Sequence, residues 1–233
     1  MKPPRLLPLL LALLLAPMFP GLAGCALSPA PAPRAAAAEP PNLYLLKQEL
    51  IAYAESGAYA RSLAAVAAEA KAWVERRAAP PQPGGRLAIV FDLDETLLSN
   101  LAHMREMDFG YLPELWDQWV AEGTAPAIQP VKEVYLAARA RGVAVFYLTG
   151  RREKDRPGTE ANLRAAGLDD HVALHLKPDA DRGPTQAFKT ATRKKITEDG
   201  YTIIANLGDQ HSDLAGGFAE RTFKLPNPFY LTK

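Results

Sequence analysis

Three apolar runs, Leu87 to Phe91, Val143 to Leu148 and Ile203 to Leu207, each stop abruptly at polar or small residues, and the first and third stop at pairs of aspartates. Runs of five or six residues that are apolar throughout, or interrupted once as by Asn206 in the third, read as strands buried on both faces, which is the habit of a parallel sheet. Helical patterns are expected at Pro130 to Arg141, Arg156 to Ala166 and Gln186 to Asp199, with a further short strand at Val172 to Leu176. Strand and helix alternating in this way predict an α/β fold built on a doubly wound parallel sheet.

The aspartates then acquire a position. Asp92 and Asp94 follow the first run directly, and residues i and i+2 of an extended segment point to the same side. Both carboxylates belong to one crevice at the strand's carboxyl end, where open α/β sheets bind ligands. Carboxylates this close repel unless a proton or cation intervenes. A hard divalent ion such as Mg2+ suits an all-oxygen site. The second run ends in Thr149-Gly150-Arg151, a hydroxyl beside a glycine that lets backbone N–H groups approach an anion. Lys189 lies at an expected helix start and brings positive charge, and the third run ends in Gly208-Asp209-Gln210-His211-Ser212-Asp213. The order is carboxylate pair, hydroxyl, lysine, carboxylate pair, a set suited to phosphoryl transfer.

That order resembles the haloacid dehalogenase (HAD) superfamily of phosphohydrolases. Asp92, Asp94 and Thr96 match its Asp-x-Asp-x-Thr motif, Thr149 its second motif, Lys189 its third, and Asp209 with Asp213 its fourth. Within it, the stretches Phe91 to Asn100, Gly208 to Leu214 and Phe223 to Tyr230, with Thr149 to Glu153 followed by Arg156, Thr159, Asn162 and Leu163, are similar to the acid phosphatase branch. That branch includes plant vegetative storage proteins and bacterial class C lipoprotein acid phosphatases. The resemblance runs from about Leu43 to the C-terminus and implies a Rossmannoid, HAD-like sheet. It implies Asp92 as nucleophile, Asp94 as acid and base, Thr149 holding non-transferring oxygens and Lys189 neutralising charge. It also implies Mg2+ held by Asp92, the Asp94 carbonyl and Asp209, with Asp213 orienting the metal's surroundings.

Taken singly, each motif has a plainer reading. An Asp-x-Asp after a strand is ordinary turn or helix-cap chemistry, Thr149-Gly150 a strand-end turn, Lys189 a solvated lysine and Gly208-Asp209 a common turn. Their conjunction in the required order favours an acid phosphatase acting on small phosphomonoesters. Other readings are a non-catalytic binding or storage protein, since some storage relatives lack the nucleophilic aspartate, and a phosphomutase or phosphotransferase, which would carry a larger cap.

The N-terminus carries a separate message. Lys2 and Arg5 precede a leucine-rich run from Leu6 to Leu15, and Leu22-Ala23-Gly24-Cys25 closes the stretch. It resembles a bacterial lipoprotein signal (residues 1–24), with cleavage leaving a lipid-modified Cys25. Pro17 and Pro20 interrupt the run before it reaches the roughly 20 residues a membrane span needs. Residues 25–41 form an Ala/Pro-rich tether. Ala26 after the cysteine implies, by resemblance, sorting to the outer membrane. Cys25 is the only cysteine, so internal disulfides are excluded. The chain has 27 basic and 26 acidic side chains, with no long run of either sign, and nothing in that balance favours nucleic acid.

The folded part is expected at residues 42–233. Its first segment, residues 42–78, reads as two helices, Leu43 to Ser56 and Ala58 to Ala78, with Asn42 as N-cap and Tyr53, Tyr59 and Trp73 facing the core. His103 to Ala127 carries neither a strand nor a helix pattern and is the candidate for a small cap (residues 103–127). Its Phe109, Tyr111, Trp116 and Trp119 could stack on a substrate ring or pack the cap onto the sheet. His211 and His103 stand where plant relatives carry other aromatic residues; His171 and His175 are read as structural.

Overall fold

A computed structural model describes residues 39–79 and 85–232; the expected signal, lipidated cysteine and most of the tether lie outside them. The chain opens with α1 (Leu43–Glu55), whose Asn42 side chain caps the Tyr44 N–H at 3.0 Å, and α2 (Ala58–Arg77), entered through Gly57 at φ +73°. Between them the helices end one residue earlier than the periodicity suggests, because Ser56 and Ala78 serve as C-caps.

The five strands are β1 (Arg86–Phe91), β2 (Ala144–Arg152), β3 (Ala173–Lys177), β4 (Tyr201–Gly208) and β5 (Thr222–Lys224). They pair in the order β3-β2-β1-β4-β5, every pair parallel. After β1 the chain fills one side of the sheet and then crosses to the other, so the reversal of strand order falls between β1 and β4. That is the switch point where such sheets open a crevice, and β1 and β4 are the strands that end in the two aspartate pairs.

Alternation along the strands divides the core. Ile89 and Phe91 join the large cluster against α2 and α5 (Gln129–Arg139), while Ala88 and Val90 join Phe146, Leu148, Ile203 and Ile196 of α7 (Thr185–Glu198) on the other face. Tyr59 is buried in the larger cluster with Tyr53 and Trp73 packed against it, and the Trp73 indole donates to the Ile204 carbonyl. Both helix layers follow from strands that are apolar on both faces.

The interval expected to lack a pattern is largely helical, with α3 (Leu101–Glu106) and α4 (Pro113–Glu122). Pro113 sits in the first turn of α4 and Gly123, at φ +62°, ends it. With six residues α3 gives too few turns for periodicity to show, and α4, as long as α6 (Arg156–Ala165), buries only Val120, so it carries no continuous apolar stripe. Where α4 meets α6, a Cβ on Gly158 would lie 2.3 Å from the Val120 carbonyl oxygen, so this contact is backbone against backbone. The second strand is longer than its apolar run: β2 continues through Thr149, Gly150 and Arg151 to Arg152, with its register against β3 shifting after Leu148. The short β5 and the four-residue α8 (His211–Leu214) carry no readable pattern.

Candidate active site

Asp92 follows β1 with its N–H bonded to the Leu207 carbonyl of β4, which fixes it at the switch point. Its carboxylate accepts from the Lys189 ammonium and, at 3.2 Å, from the Thr96 hydroxyl. Lys189, in the second turn of α7, also donates to Asp213 at 2.7 Å. Asp209, at the end of β4, accepts from Gln210 and from Asn227 and lies 3.4 Å from the Thr96 hydroxyl. Asp213 is turned inward because one of its oxygens accepts from the Gln210 N–H at 2.8 Å. A Cβ on Gly208 would fall 2.4 to 2.9 Å from three atoms of that side chain, so only glycine leaves room for it.

Asp92, Asp209 and Asp213 therefore form a buried cluster in which one oxygen from each lies within 4.8 Å of the others. Lys189 is the one ammonium in contact with it among the described residues. Burial pushes the Asp92 carboxyl well above its usual range, Lys189 opposes this, and Asp213 and Asp209 add to the rise. Asp209 is pushed up to about 6, first by burial and then by Asp213, against the bonds from Asn227 and Gln210. Burial works against the Lys189 charge, but Asp92 and Asp213 outweigh it and hold the ammonium above its ordinary range. Three crowded carboxylates short of positive charge, with only oxygen donors, match what a hard divalent cation requires.

Asp94 points elsewhere. Its carboxylate is gripped by Arg151, at 3.1 Å from Nε and 2.7 Å from Nη2, and accepts a third bond from Asn100 at 2.9 Å. Burial alone would raise its pKa, yet Arg151 outweighs it and holds the group below the usual carboxylate value. Thr149 is fully buried, and its hydroxyl accepts the Arg151 N–H at 3.1 Å. The crevice wall there consists of Gly150, Arg151 and Arg152. The structure thus brings Asp92, Lys189, Asp209 and Asp213 into mutual contact, sets Asp94 at the rim and places the Thr149 side chain behind the wall.

Several groups belong to the site without a role legible in the sequence. Arg151, Asn100, Gln210 and Asn227 hold the aspartates, as above. Glu95, at φ +51°, accepts from the Asn100 N–H and amide and from the Tyr230 hydroxyl. Burial, with Asp94 nearby, pushes Glu95 up to about 8 despite the Asn100 bonds. These residues occur inside the motif stretches, but contacts such as Asp94–Arg151 and Glu95–Tyr230 span separations that no local pattern encodes. The C-terminal arm closes the site, with Leu225 bonded to the Gly208 carbonyl and Thr232 to the Gln210 side chain.

The crevice encloses about 830 Å³. Of the four aromatics in the 103–127 interval, Phe109, Tyr111 and Trp116 line it, together with His103. Trp119 packs instead, stacked on His103 at 5.3 Å and donating to Asn100 at 2.8 Å. His211 is exposed at the start of α8. His171 and His175 pack against Tyr147 and Phe146 at the β3 side of the sheet, outside the crevice lining, and burial lowers both pKa values.

A parallel sheet with an acidic cluster and a lysine at its switch point defines the phosphoryl-transfer class of Rossmannoid protein. The model of the HAD superfamily, subfamily IIIB (Acid phosphatase), matches residues 33–233, and the chain belongs to that family. It is 42% identical over 151 residues to Acid phosphatase 1 of Solanum lycopersicum, covering 63% of this chain and 59% of that protein. It is 39% identical over 148 residues to the Stem 28 kDa glycoprotein of Glycine max, covering 60% and 58%. The chain thus spans about three-fifths of the length of these curated relatives. The class C acid phosphatase from Bacillus anthracis shares the fold at 23% identity, with a TM-score of 0.61 over 80% of this chain and 86% of that one.

Proposed function

We propose that this chain is a Mg2+-dependent acid phosphatase that hydrolyses small phosphomonoesters through an aspartyl-phosphate intermediate. The observation that carries the reading is the contact of Asp92 with Lys189 inside the Asp92–Asp209–Asp213 cluster at the switch point. Asp92, Asp209 and the Asp94 carbonyl would hold the cation, with Asp213 orienting its surroundings. A divalent ion there supplies the positive charge that lets a carboxylate approach an anionic ester.

The remaining work falls to the chain's own groups. An Asp92 oxygen attacks phosphorus as the bond to the leaving oxygen breaks, and Lys189, kept charged by its two aspartates, balances the negative charge gathered at that point. Asp94, ionised at rest, takes up a proton from solvent and passes it to the leaving oxygen, then takes one from the water that hydrolyses the phosphoaspartate and returns it to solvent. For this it must let go of Arg151, whose guanidinium is then free to meet the substrate's anionic oxygens. Thr149 supports the wall by fixing the Arg151 N–H. The leader pattern supports export and lipid anchoring through Cys25, with the outer membrane as the destination; no helix among the described residues is long and apolar enough to cross a membrane.

The test is turnover of an aryl phosphate with and without Mg2+, beside Asp92→Asn. Metal-dependent hydrolysis that drops by orders of magnitude in the variant is expected. Equal turnover in both proteins removes Asp92 as nucleophile, and a folded wild type without turnover moves the reading to a binding or storage protein.

A further inference from the structure

Eleven large apolar side chains are exposed among the described residues, and eight of them fall in three short segments: residues 43–46, Tyr111 with Leu112, and Tyr230 with Leu231. The segments are neighbours. Lys47, one turn beyond Leu43, pairs with Asp108 at the approach to Tyr111. Phe109 stacks on Phe229 at 5.9 Å, which joins that turn to the C-terminal arm. Tyr111, Tyr230 and Leu231 line the crevice itself. An apolar collar thus runs from the first turn of α1 to the mouth of the active site. Although α1 has the sequence LYLLKQELIAYAE, it contributes no buried residue to the core, and Leu43, Tyr44 and Leu45 are each more than half exposed. Clustered exposed apolar surface of this kind marks a docking site.

The occupant follows from what the chain carries next to the collar. Asn42, which caps α1, stands seventeen positions after Cys25. Even fully extended, that tether reaches only on the order of 60 Å. Under the lipid-anchor reading, the first turn of α1 is the part of the domain nearest in sequence to the bilayer. We propose that the collar seats the domain on a lipid bilayer, with the mouth of the crevice turned toward the membrane surface. Exposed Leu and Tyr side chains at the headgroup boundary would be buried there. The proposal rests on the anchoring reading for its motive but not for its test. Phosphomonoesters borne on amphiphiles are the substrate class such an orientation favours.

Residues 41–233 form a compact unit with its own core, so this domain can be examined without its lipid. The experiment is co-sedimentation with vesicles of mixed zwitterionic and anionic phospholipid, comparing it with the triple variant Leu43→Gln, Tyr44→Gln, Leu45→Gln. The variant should bind roughly tenfold more weakly or worse, since three apolar side chains lose their burial. Its turnover of a soluble aryl phosphate should equal wild type, which separates failure of docking from failure of the phosphatase reading. Orientation is read from an environment-sensitive dye at Leu231→Cys, expected to respond to vesicles, and at Val172→Cys, expected to stay silent. Vesicle binding unaffected by the triple substitution overturns the proposal, as does a dye response at position 172 alone. Lipid-independent dimerisation abolished by the same substitution would assign the collar to a second copy instead, and equally overturns it.

Discussion

Arg151 holds Asp94 through two nitrogens of its guanidinium, and the Arg151 side chain is only 1% exposed while that of Asp94 is 17% exposed. The arginine is fixed in turn by Thr159, 3.2 Å from Nη1, and faces the Trp116 ring. The proposed acid–base group is therefore ionised and turned to the crevice wall. Its partner comes from the end of β2, where the strand outruns its apolar core.

Arg151→Gln should release Asp94 and let burial raise its pKa. A carboxyl whose folded pKa is depressed contributes stability above its unfolded value, and that contribution is lost as pH falls through the folded pKa. The variant should therefore lose more stability against wild type at pH 7 than near pH 3, seen in parallel thermal melts. If Asp94 is the acid, the descending limb of kcat/KM against pH should move to higher pH. An unmoved limb would remove Asp94 from the proton transfer.

The acidic cluster makes a prediction that needs no turnover. In the metal-free chain Asp209 is raised from 3.8 to about 6. A raised carboxyl stabilises the fold below its unfolded pKa and loses that contribution as pH climbs through the folded one, so the window is roughly pH 4 to 6. Mg2+ binding opposes the same crowding and should raise the melting temperature at pH 7.5. The gain should shrink at pH 5, where protons compete with the ion. Asp209→Asn should abolish the Mg2+ response, and a response intact in that variant would place the ion elsewhere.

How much of this was legible follows from the separations involved. Apolar runs located β1, β2 and β4, and the aspartates at the ends of β1 and β4 located the crevice, because composition of a run and strand-end position are local properties. The helical α3–α4 interval escaped because α3 has only six residues and the aromatics of α4 divide between wall and packing. Trp119 and Trp116 are three residues apart, yet one bonds Asn100 and the other faces the crevice. Arg151 and Asn227 stood inside recognisable stretches, but their partners Asp94 and Asp209 are 57 and 18 residues away. Only the packed sheet brings them together.

Lys189→Met should cost on the order of 3 kcal/mol or more, because it leaves the buried Asp92 and Asp213 carboxylates facing each other without their shared cation. Adding Asp213→Asn should recover part of that loss and none of the activity, a non-additivity expected of groups in direct contact. Denaturant melts of the two single variants and the double measure the coupling. Additive losses would mean that Lys189 acts as an independent packing residue.

Gly208→Ala tests the position of Asp213 with a single methyl group. Gly208 has no unusual backbone conformation; its requirement is space, since the new Cβ would stand 2.4 Å from the Asp213 Cβ and 2.6 Å from Oδ2. Contacts that short cannot persist, so Asp213 must swing away or β4 must shift. A swing breaks the bonds from Lys189 and the Gln210 N–H together and leaves Lys189 with Asp92 alone. The expected result is a folded protein by circular dichroism whose melting temperature no longer responds to Mg2+ and whose turnover falls by at least tenfold. Gly208→Ala with both properties at wild-type levels would show that the cluster tolerates a displaced Asp213, and the metal would then be held by Asp92 and Asp209 without its help.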